Sequence, residues 1–206
     1  MTARDIQKQL EERFGLKIQR ADIPADGRLF VYIEPKAVRE VCQFLFVDLD
    51  ARYCVGIGCD ERETQGKFMV AHDFACDKDH VLISVLTLLD GENPVLDSIA
   101  DIIPAANWSE REFRDLVGIV PEGHPNPKRL VLPDGWPDDV HPLRKDLRWD
   151  NVPDTYDTSK TYDFDNPPEG TVVVPFGPFH PTLDEPSHFR LFVEGEVVKG
   201  CEYRGF

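Results

Sequence analysis

A group of charged and histidine residues between positions 108 and 147 could do acid-base chemistry or form ion pairs. Its members are Glu110, Arg111, Glu112, Asp115, His124, Lys128, His141, Arg144, Lys145 and Asp146. On a helix, Glu110, Arg111, Arg114 and Asp115 can form neighbouring ion pairs, and Glu112 and Asp115 lie on one face. One interpretation is a solvated charged face. Apolar residues alternate with the charges, however, and Gly-His-Pro and His-Pro-Leu turns follow, which favours a fixed, internally paired network.

Carboxylates and histidines also act as general acids and bases, which makes Glu110, Glu112 and His124 candidates for catalysis. Neither a nucleophile nor a substrate-binding pattern accompanies them in the sequence. We therefore predict no catalytic residue in this chain and a structural docking role for the group. Within it, we expect Arg111 and Glu112 to form an ion pair that is at least partly buried among aromatic neighbours.

The elements that must position this group follow from the apolar periodicity. Helices are predicted at residues 2–14, 35–46, 94–103 and 108–117. Strands are predicted at residues 28–34, 52–58, 67–74 and 80–89. We expect Asn107 or Ser109 to cap the last helix, with Glu112 completing a capping box. This order predicts an α+β fold with a mainly antiparallel sheet flanked by helices.

The composition of the sequence changes after residue 148. Residues 149–171 are acidic and contain prolines, which predicts a linker or extended arm that is mobile when the chain is alone. Strand-like runs at 172–175 and 188–198 predict a C-terminal β-hairpin. Two strands are marginal in water, so this unit should need more chain or a partner. The predicted domains are therefore residues 1–148, 149–171 and an incomplete 172–206.

Charge and cysteine content exclude several classes of function. The formal net charge of −15 disfavours unaided binding to nucleic acid or to an anionic membrane. No apolar run approaches the roughly 20 residues that cross a bilayer, and no secretory signal opens the chain, which predicts a cytoplasmic location. The five cysteines include no Cys-x-x-Cys pair, which predicts reduced thiols and no metal centre. Ordinary strand positions are predicted for His72, His80 and His188, and a buried apolar role for Cys201.

A known family shares the spacing of the charged group. The matching residues are Glu110-Arg111-Glu112, Asp115-Leu116-Val117, His124, Lys128, Leu130-Val131, Trp136 and 141–146. They resemble the 30-kDa (C) subunit family of complex I and group 4 membrane-bound nickel–iron hydrogenases, over residues 1–148. The resemblance implies a scaffold that has no redox cofactor and docks on the large and small subunits of the complex.

A second motif lies near the C-terminus, in residues 175–196, and contains Gly177, His180, Asp184 and Glu185. It is similar to the start of the large (49-kDa-like) subunit of the same complexes. Where quinone-reducing members have Thr-His-Gly, this chain has Leu183-Asp184-Glu185. An ionised Asp cannot replace a neutral imidazole as a hydrogen-bond donor to a quinone. The Asp-Glu-Pro pattern instead resembles group 4 hydrogenase large subunits, including formate hydrogenlyase types in which both parts are fused.

For His180 two interpretations stay open: a turn residue satisfied by the backbone, or a residue lining a proton or substrate path. The leading functional prediction is a cofactor-free assembly domain of an energy-converting hydrogenase, peripheral to the cytoplasmic face of the membrane. Its predicted partners are the large and small subunits, which would hold the iron–sulfur clusters and a nickel–iron centre. The alternatives are a 30-kDa (C) subunit of NADH-quinone oxidoreductase and a free-standing adaptor.

Overall fold

The structure, a computed structural model, describes residues 1–148, 150, 157–160 and 164–205. It divides the chain into two units, residues 1–128 with 138–153 and residues 129–137 with 154–206. The predicted division at residues 148 and 171 stays a prediction, and residues 149, 151–156 and 161–163 of the predicted mobile arm lie outside the described residues.

The first unit contains four α-helices, three short 3-10 helices, one π-helical segment and seven strands among its described residues. The α-helices are α1 (Ala3–Phe14), α2 (Val38–Gln43), α3 (Arg62–Gln65) and α4 (Ala106–Val117). The strands are β1 (Ile18–Ala25), β2 (Arg28–Ile33), β3 (Arg52–Glu61), β4 (Lys67–Cys76), β5 (Val81–Asp90), β6 (Val95–Asp97) and β7 (Val120–Glu122). The first five strands form one sheet in the order β1-β2-β5-β4-β3, in which only the β2–β5 pair is parallel.

Helix α1 shows how the local sequence starts and anchors an element. The Thr2 hydroxyl accepts from the Asp5 N–H and the Asp5 carboxylate accepts from the Thr2 N–H, which is a complete capping box. Ile6 and Leu10 recur at helical spacing and are both buried. They belong to the same hydrophobic core as Phe68 and Phe74 of β4.

The α+β fold with a mainly antiparallel, helix-flanked sheet is confirmed. Strand β1 was not predicted because its residues show no regular alternation of buried and exposed positions. The helix predicted at residues 94–103 is wrong. Its first residues form β6, which pairs in parallel with β7, and the remaining residues turn toward α4. Pairing with a distant strand outweighs a helical pattern in so short an apolar run.

The capping prediction for the following helix is also wrong. Helix α4 begins at Ala106, and its N-cap, Ala105, makes no side-chain cap hydrogen bond. A series of turns leads directly into the helix instead.

The three histidines assigned to strands differ in outcome. His72 lies in β4 and His188 in β9, as predicted, but His80 has a left-handed backbone (φ 55°) and immediately precedes β5. His72 is fully buried, and its Nδ1 lies 3.2 Å from the Tyr53 hydroxyl.

Burial lowers the pKa of His72 to about 4, which makes stability depend on pH. Above its ordinary pKa of 6.5 the ring is neutral in both states. As pH falls from 6.5 toward 4, the unfolded chain takes up the proton first, so the folded state loses stability. We expect His72→Leu to remove about 2 kcal/mol of the loss in unfolding free energy between about pH 7 and pH 5, measured by urea denaturation. Burial also lowers the pKa of His124, so a smaller slope should remain. Parallel pH profiles for parent and variant would contradict this assignment.

The second unit contains an antiparallel sheet in the order β10-β9-β8, formed by β8 (Val172–Phe176), β9 (Ser187–Glu194) and β10 (Val197–Gly205). The predicted C-terminal hairpin of residues 172–175 and 188–198 is confirmed as the antiparallel β8–β9 pair, to which β10 adds a third strand. The strand predicted at 188–198 is in fact β9, a turn at Gly195-Glu196 and the start of β10. Cys201, predicted to be buried, is exposed because it lies on the open face of this sheet.

Candidate functional site

Helix α4 carries Glu110, Arg111, Glu112 and Asp115, and it packs against β3. Two glycines of β3 make the close approach possible. A Cβ at Gly58 would lie 2.5 Å from the Cβ of Phe113, and one at Gly56 would lie 3.1 Å from the Cβ of Ser109. Any larger residue at position 58 would therefore push the helix away from the strand.

Glu110 is buried and acts as an acceptor for the chain that leads from β6 to α4. The Ser98 hydroxyl donates to its Oε2, and the Ile99 N–H donates to its Oε1 at 2.7 Å. Arg39 supports the same segment from α2, donating to the Ser98 carbonyl and pairing with both oxygens of Asp101 at 2.8 Å. Burial raises the pKa of Glu110. The carboxylate thus holds this turn in place through its two hydrogen bonds.

His124 is buried beside Glu110, with its Nε2 3.7 Å from Oε2 of the carboxylate. Its Nδ1 accepts from the Asn126 N–H at 2.9 Å, so Nε2 carries the proton and donates to the Asn107 carbonyl at 3.1 Å. Burial lowers the pKa of His124 and favours this neutral form. Both ring nitrogens are occupied by backbone groups, which leaves the imidazole no free position for proton transfer.

Arg111 and Lys128 are joined through the backbone, because Arg111 Nε donates to the Lys128 carbonyl at 2.7 Å. Arg114 donates in the same way to the Pro127 carbonyl. The predicted buried pair between Arg111 and Glu112 is not what the structure shows. Glu112 points to solvent and makes no ion pair among the described residues, since the face of α4 toward the core bears Glu110, Arg111 and Asp115.

The second half of the charged group closes the C-terminal end of α4. His141 Nδ1 donates to the Asp115 carbonyl at 2.9 Å, the Leu143 N–H to the Leu116 carbonyl at 2.8 Å, and Arg144 Nε to the Val117 carbonyl at 2.7 Å. The last carbonyls of a helix lack partners within the helix and bear partial negative charge, so cationic donors suit them.

Lys145 and Asp146 connect this loop to the end of β3. The Lys145 N–H donates to Asp60 Oδ2 at 3.0 Å, and Arg62 bridges Asp60 and Asp146 with contacts of 2.7 and 2.8 Å. The Arg62 guanidinium holds the pKa of Asp60 well below its usual range. Sequence reasoning missed Asp60 and Arg62, for which the charged run after the strand was the available signal. It also missed Arg39 and Ser98, for which the sequence contains no comparable signal.

The second motif lies in the second unit. Gly177 has φ +82°, and a Cβ there would lie 1.9 Å from the Ser187 carbonyl oxygen. His180 makes local contacts, with Nδ1 2.8 Å from the Thr182 hydroxyl and the ring centroid 4.0 Å from that of Phe176. Asp184 and Glu185 are exposed.

The contacts of both motifs are mainly local or made to backbone groups in the described part of the chain. In the first motif Glu110, His124 and Arg144 bind backbone groups, whereas Glu112 is exposed. No group of three or more His, Cys, Asp or Glu among the described residues could hold a metal ion. No helix in that part is long and apolar enough to cross a membrane. The fold and the site define an α+β domain in which the charged group fixes one helix and the loops around it.

Residues 31–152, more than half of the chain, match the family model described as respiratory-chain NADH dehydrogenase, 30 Kd subunit, and the chain belongs to this family. It is 41% identical to Hydrogenase-4 component G of Escherichia coli (strain K12) over 81% of this chain and 31% of that protein. It is 39% identical to Formate hydrogenlyase subunit 5 of the same strain over 87% of this chain and 32% of that protein. The chain thus spans about a third of the length of these two relatives.

Other relatives include the C subunit of NADH-quinone oxidoreductase from Mesorhizobium japonicum, 34% identical over 69% of this chain and 71% of that protein. Among solved structures, the trypsin-resistant fragment (1-134) of Nqo5 aligns with a TM-score of 0.51 and 25% identity, covering 59% of this chain and 98% of the fragment. A chain of the membrane-bound sulfane sulfur reductase, an archaeal respiratory membrane complex, has the same fold, with a TM-score of 0.57 and 16% identity over 78% of this chain.

Proposed function

We propose that this chain is a structural, cofactor-free assembly domain of a group 4 membrane-bound nickel–iron hydrogenase, which supports the catalytic large and small subunits. It lies on the cytoplasmic face of the membrane and reaches the membrane through its partners. The iron–sulfur clusters and the nickel–iron centre belong to those partners or to further parts of the same polypeptide.

The observation that carries the proposal is the length of the match to the two hydrogenase-type relatives. A match over 81% or 87% of the 206 residues is longer than residues 1–152 can supply. Both relatives therefore share sequence with the second unit as well as with the 30-kDa region. The quinone-oxidoreductase relative from Mesorhizobium japonicum covers 69% of this chain.

The site geometry supports a scaffold role over a catalytic one. Glu110 and His124 are the best candidates for acid-base chemistry, but their polar atoms form hydrogen bonds with backbone groups and with Ser98. Buried polar networks of this kind, fully satisfied, make a surface rigid and keep one conformation. A rigid α4 with its surrounding loops provides a fixed shape on which other subunits can assemble.

The test is purification of the native assembly through an affinity tag on this chain, followed by subunit identification and metal analysis. We expect hydrogenase large and small subunits to copurify, with nickel and iron in the assembly and no stoichiometric metal on the isolated chain. Iron or nickel bound to the isolated chain would overturn the cofactor-free role.

The alternative, a 30-kDa (C) subunit of NADH-quinone oxidoreductase, is favoured by the family match itself. The same purification separates the two candidates. Quinone-reductase subunits and an absence of nickel would establish the alternative, and recovery of the chain without any redox subunit would favour a free-standing adaptor.

A further inference from the structure

One face of the three-stranded sheet in the second unit is apolar and partly exposed. Directly opposite residues of antiparallel strands share a face, so the strand register defines which side chains lie together. Phe176 is opposite Phe189, and Phe189 is opposite Tyr203. Their ring centroids lie 6.2 and 5.1 Å apart, which places one aromatic row across all three strands.

Two aliphatic rows continue the same face. Val174 is opposite Leu191, and Val172 is opposite Val193, which is in turn opposite Val198. The outer positions are open to solvent, with Val172 68%, Val174 45% and Val198 54% exposed. We call the aromatic row and these two aliphatic rows the valine face. Contiguous exposed apolar residues rimmed by polar ones mark interaction surfaces.

The opposite face of the sheet bears buried side chains and a buried ion pair near its centre. Phe192 is only 6% exposed there, and Arg190 pairs with buried Glu202 at 2.6 Å. The guanidinium of Arg190 also lies 4.6 Å from the Phe164 ring, and the Asp165 N–H donates to Glu202. The centre of this face is therefore covered and has its charges paired, whereas Val197 at its edge stays exposed.

We propose that the valine face is the docking surface for a hydrogenase large-subunit polypeptide, which covers it with an apolar surface of its own. The inference rests on the proposed function. The two relatives whose matches extend beyond residue 152 each hold about two thirds of their length outside the matched part, so further polypeptide accompanies this region in them. Covalent continuity or stable assembly raises the effective concentration enough for a small patch to be occupied.

A second copy of this chain fits the face less well. A stable interface between free proteins takes roughly 20–30 residues a side, far more than the valine face offers. Each copy also has a formal net charge of −15, so two copies repel each other.

Two adjacent valines at the start of β10 provide a matched pair for the test. Val198 belongs to the valine face, whereas Val197 is opposite Glu194 and points to the other side, with a similar exposure of 58% against 54%. A photo-crosslinking amino acid is placed at either position, and the assembly is purified through a tag on this chain and irradiated. We expect Val198 to crosslink to a large-subunit peptide outside residues 1–206, at least tenfold more than Val197.

Lysine variants give an independent measurement. Val198→Lys should reduce the amount of large subunit retained in the assembly at least tenfold, or expose β8 to β10 to hydrogen exchange where the partner is covalently attached. Val197→Lys should do neither, and both variants should melt like the parent when isolated, because both positions are exposed.

The outcomes separate the two proposals. Crosslinks to a second copy of this chain, equal crosslinking from both positions, or full retention with Val198→Lys would overturn the valine face as the large-subunit site while leaving the hydrogenase assignment intact. A parent assembly without a hydrogenase large subunit would instead contradict the proposed function, and with it the identity of the partner.

Discussion

Glu110→Ala is expected to lower the free energy of unfolding by about 3–5 kcal/mol. The substitution removes the acceptor of two buried donors, the Ser98 hydroxyl and the Ile99 N–H. Each buried polar group left without a partner costs about 1–3 kcal/mol, and the lost carboxylate also leaves a cavity beside His124. For a chain of this length the melting temperature should fall by about 2–4 °C for each kcal/mol, measurable by calorimetry.

Glu112→Ala, two residues further along the same helix, is the matched control. Because Glu112 is exposed and unpaired among the described residues, its loss should change the unfolding free energy by no more than about 0.5 kcal/mol. Glu110→Gln should be intermediate, since its amide oxygen still accepts from Ile99. If Glu110→Ala melts like the parent and still assembles, but the complex loses turnover, the residue takes part in the reaction and the scaffold role is wrong.

Gly118→Ala is expected to cost about 2–5 kcal/mol and to displace the loop at residues 141–146. Gly118 ends α4 with φ +80°, where an L side chain is strained by about 1–2 kcal/mol. A Cβ there would also lie 2.4 Å from Arg144 Nη2 and 2.5 Å from the His141 ring. The two side chains that cap the helix would have to move, and overpacking of this kind adds about 1–3 kcal/mol.

Gly66→Ala isolates the backbone part of that effect. Gly66 has φ +66° and nothing within 4 Å of the position its Cβ would take, so strain alone should cost about 1–2 kcal/mol. Hydrogen exchange of residues 141–147 should rise in Gly118→Ala and stay unchanged in Gly66→Ala. Equal costs for the two variants would mean that His141 and Arg144 adapt freely and do not depend on contact with this glycine.

The local sequence pattern was sufficient to predict an element where the residues that stabilise it are close in the sequence. The apolar spacing of Ile6, Leu10 and Phe14 predicted α1, and the long apolar runs predicted β4 and β5. The residue types at 110–147 also identified the charged group. The spacing of these residues also gave the family resemblance, which the family match confirms.

Most of the structural features that the local sequence pattern did not predict depend on pairing between strands that are distant in the sequence. Strand β6 exists because it pairs with β7, which is distant in the sequence, and the parallel β2–β5 pair likewise leaves no local signal. Short apolar segments fit a helix or a strand equally well until a partner is present, because the energy comes from the pairing.

The sequence shows which residue types are available, but the use of each depends on the folded chain around it. The motif at 110–112 contains two glutamates, and the direction in which each faces from α4 makes Glu110 a buried acceptor and leaves Glu112 in solvent. The donors that occupy Glu110 come from Ser98 and Ile99, outside the motif. Burial and hydrogen bonding depend on what the rest of the chain brings to a residue, and this cannot be read from its neighbours in sequence.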